Sequence, residues 1–124
     1  MDILIVEDDQ TVGELLLNSV QKWGHHSDLA VTGEDALKQT RRNMYDVILL
    51  DVMLPDGPSY EKIPGLKAAT PDVNIITMTG YNTPEMEQKV RGFGITYYMA
   101  KPVSINELRH IIDHLSEKRR PKAG

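Results

Sequence analysis

Residues Val47-Ile48-Leu49-Leu50 form an unbroken apolar run that ends in an acid, Asp51, and Pro55 and Gly57 close the segment soon after. A continuous apolar stretch of this kind suits a strand buried on both faces, as in a parallel sheet. A strand with one wet face would alternate apolar and polar residues instead. Asp51 then stands where burial stops and a loop begins. A carboxylate in that place is costly unless it binds something or meets water.

The same pattern recurs along the chain. Ile3 to Val6 is an apolar run that ends in Glu7, Asp8 and Asp9. Val73 to Met78 ends at Thr79-Gly80, and Ile95 to Ala100 ends at Lys101-Pro102. Asp28 to Val31 is a weaker strand, short enough for an edge. Helical periodicity fills the intervals. Val12, Leu15, Leu16 and Val20 share one helix face, with Gly24 as the stop. Thr32 opens a second helix as N-cap, with Glu34 and Asp35 in the first turn, and it runs to about Arg42. Thr83-Pro84-Glu85 opens another, ended by Gly92 or Gly94. Ser104 to Glu107 reads as a capping box ahead of Leu108, Ile111, Ile112 and Leu115.

With Ser59 to Ala69 of helical composition as well, five strands alternating with five helices predict an α/β fold: a doubly wound, five-stranded parallel sheet of flavodoxin-like order 2-1-3-4-5, with helices on both faces. The 124 residues suffice for one domain, expected over residues 1–116, followed by a basic polar tail at 117–124. No cysteine is available for disulfides or thiolate metal sites, and a net charge of −4 argues against nucleic acid as a direct ligand. No apolar stretch is long enough to span a bilayer, and the first strand begins at once without a leader. The expectation is a cytoplasmic protein without a membrane association.

In a parallel sheet all carboxyl ends lie on one edge, and ligands bind there where the strand order reverses. Glu7, Asp8 and Asp51 would meet in that crevice beside the Thr79 hydroxyl and the Lys101 ammonium. Clustered carboxylates repel, so protons or a cation must offset them. Oxygen ligands without histidine or cysteine select a hard ion, and Mg²⁺, or Mn²⁺ in its place, fits best. Such an ion beside a lysine and a hydroxyl suits phosphoryl transfer, with Asp51 able to act as the nucleophile. Taken singly, Asp8 or Asp9 can equally cap the first helix, and Thr79 and Lys101 can be ordinary strand-end residues.

Four segments together resemble the receiver domain of two-component response regulators, over nearly the full chain: Ile3 to Asp9, Asp46 to Pro55, Ile75 to Gly80 and Tyr98 to Pro102. The resemblance implies that Asp51 accepts a phosphoryl group from a phosphohistidine on a histidine kinase or a phosphotransfer protein. It implies metal ligation by Asp8 directly, by Glu7 through water, by Asp51 and by the main-chain carbonyl of Met53. Thr79 and Lys101 would hold the phosphoryl oxygens, and Tyr98 would turn inward as Thr79 moves. The output surface would be the fourth helix, fifth strand and fifth helix, with a phosphorylation-linked homodimer as one outcome. Met53 and Tyr81 occupy positions that influence how fast the phosphoryl group is lost, and Lys101-Pro102 is expected to be cis. The only reactions catalysed would be the domain's own phosphorylation and slow dephosphorylation.

Departures from the family pattern also make predictions. Receiver domains commonly open their third helix with Asp-Gly, where this chain has Pro58-Ser59, and Pro64-Gly65 follows. That helix should start late or be broken. Asp9 should serve the helix cap more than the metal. His110 and His114 lie one turn apart but outside the apolar stripe, so a solvated face is expected there, and His25-His26 should be loop. Trp23 and Phe93 are expected to anchor packing, and Lys118, Arg119, Arg120 and Lys122 to form a solvated end or a linker to a further domain. Two rival functions have their own signatures. A receiver fold acting by contact alone needs none of the five polar strand-end residues. Metal-dependent phosphatases of similar layout often use Asp-x-Asp, where Met53 stands in the third place.

Overall fold

A computed structural model describes residues 1–119. Its main sheet contains β1 (Asp2–Val6), β2 (His26–Ala30), β3 (Val47–Asp51), β6 (Asn74–Thr79) and β7 (Tyr97–Ala100), all paired in parallel in the order β2-β1-β3-β6-β7. Between β3 and β6 lies a small antiparallel hairpin, β4 (Met53–Leu54) and β5 (Gly57–Pro58). Setting the hairpin aside, the order is the expected 2-1-3-4-5. The helices are α1 (Gln10–Lys22), α2 (Gly33–Arg42), α3 (Ile63–Ala69), α4 (Pro84–Arg91) and α5 (Ile105–Arg119). None of the described helices is long and apolar enough to cross a membrane.

Alternation along the central strands divides the core in two. Ile3, Ile5, Val47 and Leu49 face α1 and α5, where they meet Leu16, Val20, Leu108 and Ile112. Leu4, Val6, Ile48 and Leu50 face the other way, against Ala36 of α2, Ile63 and Leu66 of α3 and Val90 of α4. Because both faces of β1 and β3 are covered, the side chains of Ile3 to Val6 and of Val47 to Leu50 are essentially inaccessible. Each such aliphatic side chain contributes about 1.5–3 kcal/mol relative to exposure.

The caps explain where the helices start. Asp9 accepts from Val12 N at 3.0 Å, Thr32 from Asp35 N at 3.0 Å, Thr83 from Met86 N at 3.1 Å and Ser104 from Glu107 N at 3.2 Å. Gly24 follows the end of α1 with φ +91°, a conformation glycine adopts freely. The third helix does begin late. Ser59–Lys62 forms a 3₁₀ turn and α3 follows with Pro64 in its first turn, where the missing N–H breaks no bond.

Several boundaries differ from the reading of the sequence. Strand β2 starts at His26, because Asp2 in β1 pairs with His26, so this histidine is strand rather than loop. Strand β7 is shorter than Ile95–Ala100, although Thr96 N still donates to Ile75 O at 2.8 Å. Helix α5 continues through Arg119, whose guanidinium bonds the Asp46 carboxylate at 3.0 Å and the Asp72 carbonyl at 2.7 Å. Those contacts extend the helix into residues expected as tail, while Arg120 and Lys122 lie outside the described residues. His110 and His114 are exposed on α5 as expected, and Trp23 and Phe93 pack against the two core clusters.

Candidate functional site

The carboxyl edge of the sheet gathers the strand-end residues. Glu7 follows β1 and keeps its ladder bond to Ala30 O at 2.9 Å, which holds it in the floor of the crevice at 1% exposure. Asp51 is the last residue of β3 and is 5% exposed. Thr79 ends β6 fully buried. Lys101 follows β7, and its N–H donates to Thr79 O at 2.8 Å, so the ladder itself delivers the side chain to the crevice. The Lys101-Pro102 bond is cis.

One ammonium serves two carboxylates. Lys101 Nζ donates to Glu7 Oε2 at 2.6 Å and to Asp51 Oδ2 at 2.8 Å. Burial alone would lower the lysine pKa, but the bonds to Asp51 and Glu7 outweigh it, so the ammonium is held above its ordinary value. Glu7 moves upward as well. Burial is the main cause, and the charge of Asp51 adds to it against the opposing bond from Lys101. The other Asp51 oxygen, Oδ1, accepts from Met53 N at 3.2 Å.

Asp8 is exposed and brings a third carboxylate. Ligand atoms of Glu7, Asp8 and Asp51 all lie within 4.8 Å of one another. When ionised, three carboxylates against one ammonium leave two net negative charges, the complement of a divalent cation. The donor set is entirely oxygen, which fits a hard ion rather than zinc. Asp9 is excluded from this group by its own bond to Val12 N, which settles whether Asp8 or Asp9 caps α1.

The remaining predicted residues flank the crevice. The Thr79 hydroxyl accepts from Tyr81 N at 2.9 Å. Met53 is 43% exposed and Tyr81 is 69% exposed, both at the mouth. Tyr98 is half-buried on β7, its hydroxyl donates to Asn82 Oδ1 at 3.2 Å, and Arg91 lies 5.6 Å over its ring. Three contributors were not visible in the sequence. Asn82 holds the Tyr98 hydroxyl, Ser59 donates its hydroxyl to the Asp51 main-chain carbonyl, and Asp56 bonds Gly33 N at 3.1 Å and Glu34 N at 3.0 Å. For Ser59 the one hint was that Pro58-Ser59 stands where receiver domains commonly carry Asp-Gly.

Comparison with known proteins agrees with this geometry. The family model for the response regulator receiver domain matches residues 3–113. The transcriptional regulatory protein CusR of Escherichia coli is 33% identical over 108 residues, 87% of this chain and 48% of that protein. ZraR of Salmonella typhimurium is 29% identical over 113 residues, 91% of this chain and 26% of that protein. This chain thus spans about a quarter to a half of the length of these relatives. A CheY-like receiver domain from Methanospirillum hungatei superimposes with a TM-score of 0.86 at 26% identity, covering 94% of each chain. A buried acidic crevice on a doubly wound sheet, matched by the family model over nearly its whole length, places this chain in the response regulator receiver domain family, the phosphoacceptor signalling modules of two-component systems.

Proposed function

We propose that Asp51 is the phosphoacceptor of a signalling switch, receiving its phosphoryl group from a phosphohistidine on a histidine kinase or phosphotransfer protein. The observation that carries this reading is the bridging of Asp51 and Glu7 by Lys101, within reach of Asp8. In the reaction an Asp51 carboxylate oxygen attacks phosphorus in line. The P–N bond breaks, its electron pair returns to the imidazole, and an acyl phosphate remains. Lys101 follows the charge from the carboxylate to a phosphoryl oxygen. Glu7, Asp8, Asp51 and the Met53 carbonyl would hold Mg²⁺ or Mn²⁺, which when bound neutralises the phosphoryl oxygens. Water attacking the same phosphorus later returns Asp51 to its free form. Met53 and Tyr81 at the mouth would set how readily that water enters. The chain thus catalyses only its own modification and turns over no separate substrate.

Transmission would start at Thr79. Its hydroxyl accepts from Tyr81 N and keeps its own proton to donate to a phosphoryl oxygen; a shift toward that oxygen would leave space for the Tyr98 ring once Asn82 gives up the phenol. Phosphorylation thereby biases the surface of α4, β7 and α5 between two arrangements, and that surface would bind a downstream protein or a second copy of the chain. The donor would dock beside Lys101, where Val12, Leu15, Pro102, Val103 and Ile105 line an apolar groove of about 420 Å³. A cytoplasmic setting follows from this donor chemistry.

The test uses Mg²⁺ and a small phosphodonor such as acetyl phosphate. Intact mass should show a phosphoryl adduct that Asp51→Asn removes, and an equal adduct in that variant would sink the assignment. Leu15→Asp should slow transfer from a phosphohistidine protein while leaving modification by acetyl phosphate unchanged.

A further inference from the structure

The segment between Asp51 and α3 is tied back onto the strand it leaves. Ser59, 1% exposed at the start of the 3₁₀ turn, makes both ties. Its hydroxyl donates to the Asp51 carbonyl, and its N–H donates to the Val52 carbonyl at 2.8 Å. Val52 N in turn donates to Met78 O at 2.9 Å, so the strand end is held from the sheet side as well.

These bonds fix which way Met53 faces. Met53 lies opposite Pro58 in the hairpin, and the Ser59 N to Val52 O bond joins the residues flanking that pair. Met53 and Pro58 are therefore the non-hydrogen-bonded pair, and proline has no N–H to offer in any register. Both main-chain groups of Met53 turn away from its cross-strand partner. Its N–H goes to Asp51 Oδ1 at 3.2 Å, and in this register its carbonyl makes no bond across the hairpin. Gly57, with φ +110°, lets the chain reverse tightly enough for this register.

We propose that Ser59 is a positioning residue for the metal: its hydroxyl and amide lock the Asp51–Val52 carbonyls, and so aim the Met53 carbonyl at the ion. This rests on the reading of Asp51 as a metal-assisted phosphoacceptor. Outer partners that orient metal ligands are commonly worth about 10–100-fold in affinity, and a serine acting through one intervening carbonyl should lie at the low end, about tenfold.

The experiment compares wild type, Ser59→Ala, Ser59→Cys and Asp51→Asn. Free Mn²⁺ is followed by electron paramagnetic resonance, thermal unfolding by circular dichroism, and phosphorylation by acetyl phosphate as a function of Mn²⁺. Ser59→Ala should weaken the Mn²⁺ Kd by about tenfold, and Ser59→Cys by less because a thiol is a weak donor. The Mn²⁺ concentration for half-maximal phosphorylation should rise with the Kd, while the rate at saturating Mn²⁺ stays near wild type. Should Ser59→Ala fail to fold, the near-isosteric cysteine variant decides alone. Unchanged Mn²⁺ affinity in the folded variants would overturn the proposal, even with a lowered Tm, since Ser59 would then serve stability only. A wild-type chain that binds no Mn²⁺, or an Asp51→Asn chain that still takes up phosphoryl, would overturn the phosphoacceptor reading itself, and this proposal with it.

Discussion

Two segments border the acidic crevice, and they are built in opposite ways. The one after β3 is laced down: Ser59 to Asp51 and Val52, Met53 to Asp51, and Asp56 across to the first turn of α2. Ser59 is buried there, and Tyr60, Ile63 and Leu66 then pack into the core. The segment after β6 is open. Gly80 to Thr83 is exposed, and the helix it leads into buries only Val90. The difference separates two needs. Phosphoryl transfer requires ligands fixed within fractions of an ångström, whereas a signal requires a region whose alternatives are close in energy.

The largest expected effect tests the anchoring. Leu66→Ala should cost about 3 kcal/mol, while Met86→Ala on half-buried α4 should cost about 1 kcal/mol, both read from urea unfolding. Equal losses would break the contrast. Amide exchange should sharpen it next. The Ser59 amide, bonded to Val52 O, should exchange at least about tenfold more slowly than that of exposed Asn82.

Asp56→Ala comes third. Its carboxylate serves as a cap from outside the helix, so its loss should cost about 1 kcal/mol at neutral pH. Some burial opposes ionisation, but the bonds from Gly33 N and Glu34 N prevail and hold this carboxyl below its ordinary value. A depressed folded pKa gives stability that is present above the unfolded value, near 3.9, and lost as pH falls through the folded one. The gap between wild type and Asp56→Ala should therefore close below about pH 4. Smallest of all, Tyr98→Phe removes a single bond to Asn82 and should shift stability by less than about 0.5 kcal/mol. A loss above about 1 kcal/mol would show the side after β6 to be as fixed as the other.

What could be read from the sequence follows the same division. The central strands were legible because burial on both faces leaves long apolar runs, and the residues ending them stood out by contrast. Helix starts at Thr32 and Thr83 were legible because capping is a local chemistry. The hairpin was not, since two-residue strands are too short to show a period, and Met53-Leu54 looks like a continuation of β3. Ser59 was missed for a related reason. A serine ahead of a helix reads as a forward cap, whereas this one bonds backward to the strand. The partnership of Asn82 with Tyr98 joins residues 16 apart across a loop, and no local pattern encodes it.

The bridge made by Lys101 has a consequence for how the chain matures. Lys101 and Glu7 stand 94 positions apart, and Lys101 and Asp51 stand 50 apart. The residues meet only when β1, β3 and β7 are all in place, with β6 between β3 and β7, each crossover closing a long loop. A chain still on the ribosome, or one frayed at β7, carries Asp51 without its ammonium partner. The Glu7–Lys101–Asp51 bridge is therefore itself a marker of completed assembly, closed only when the far edge of the sheet is in place.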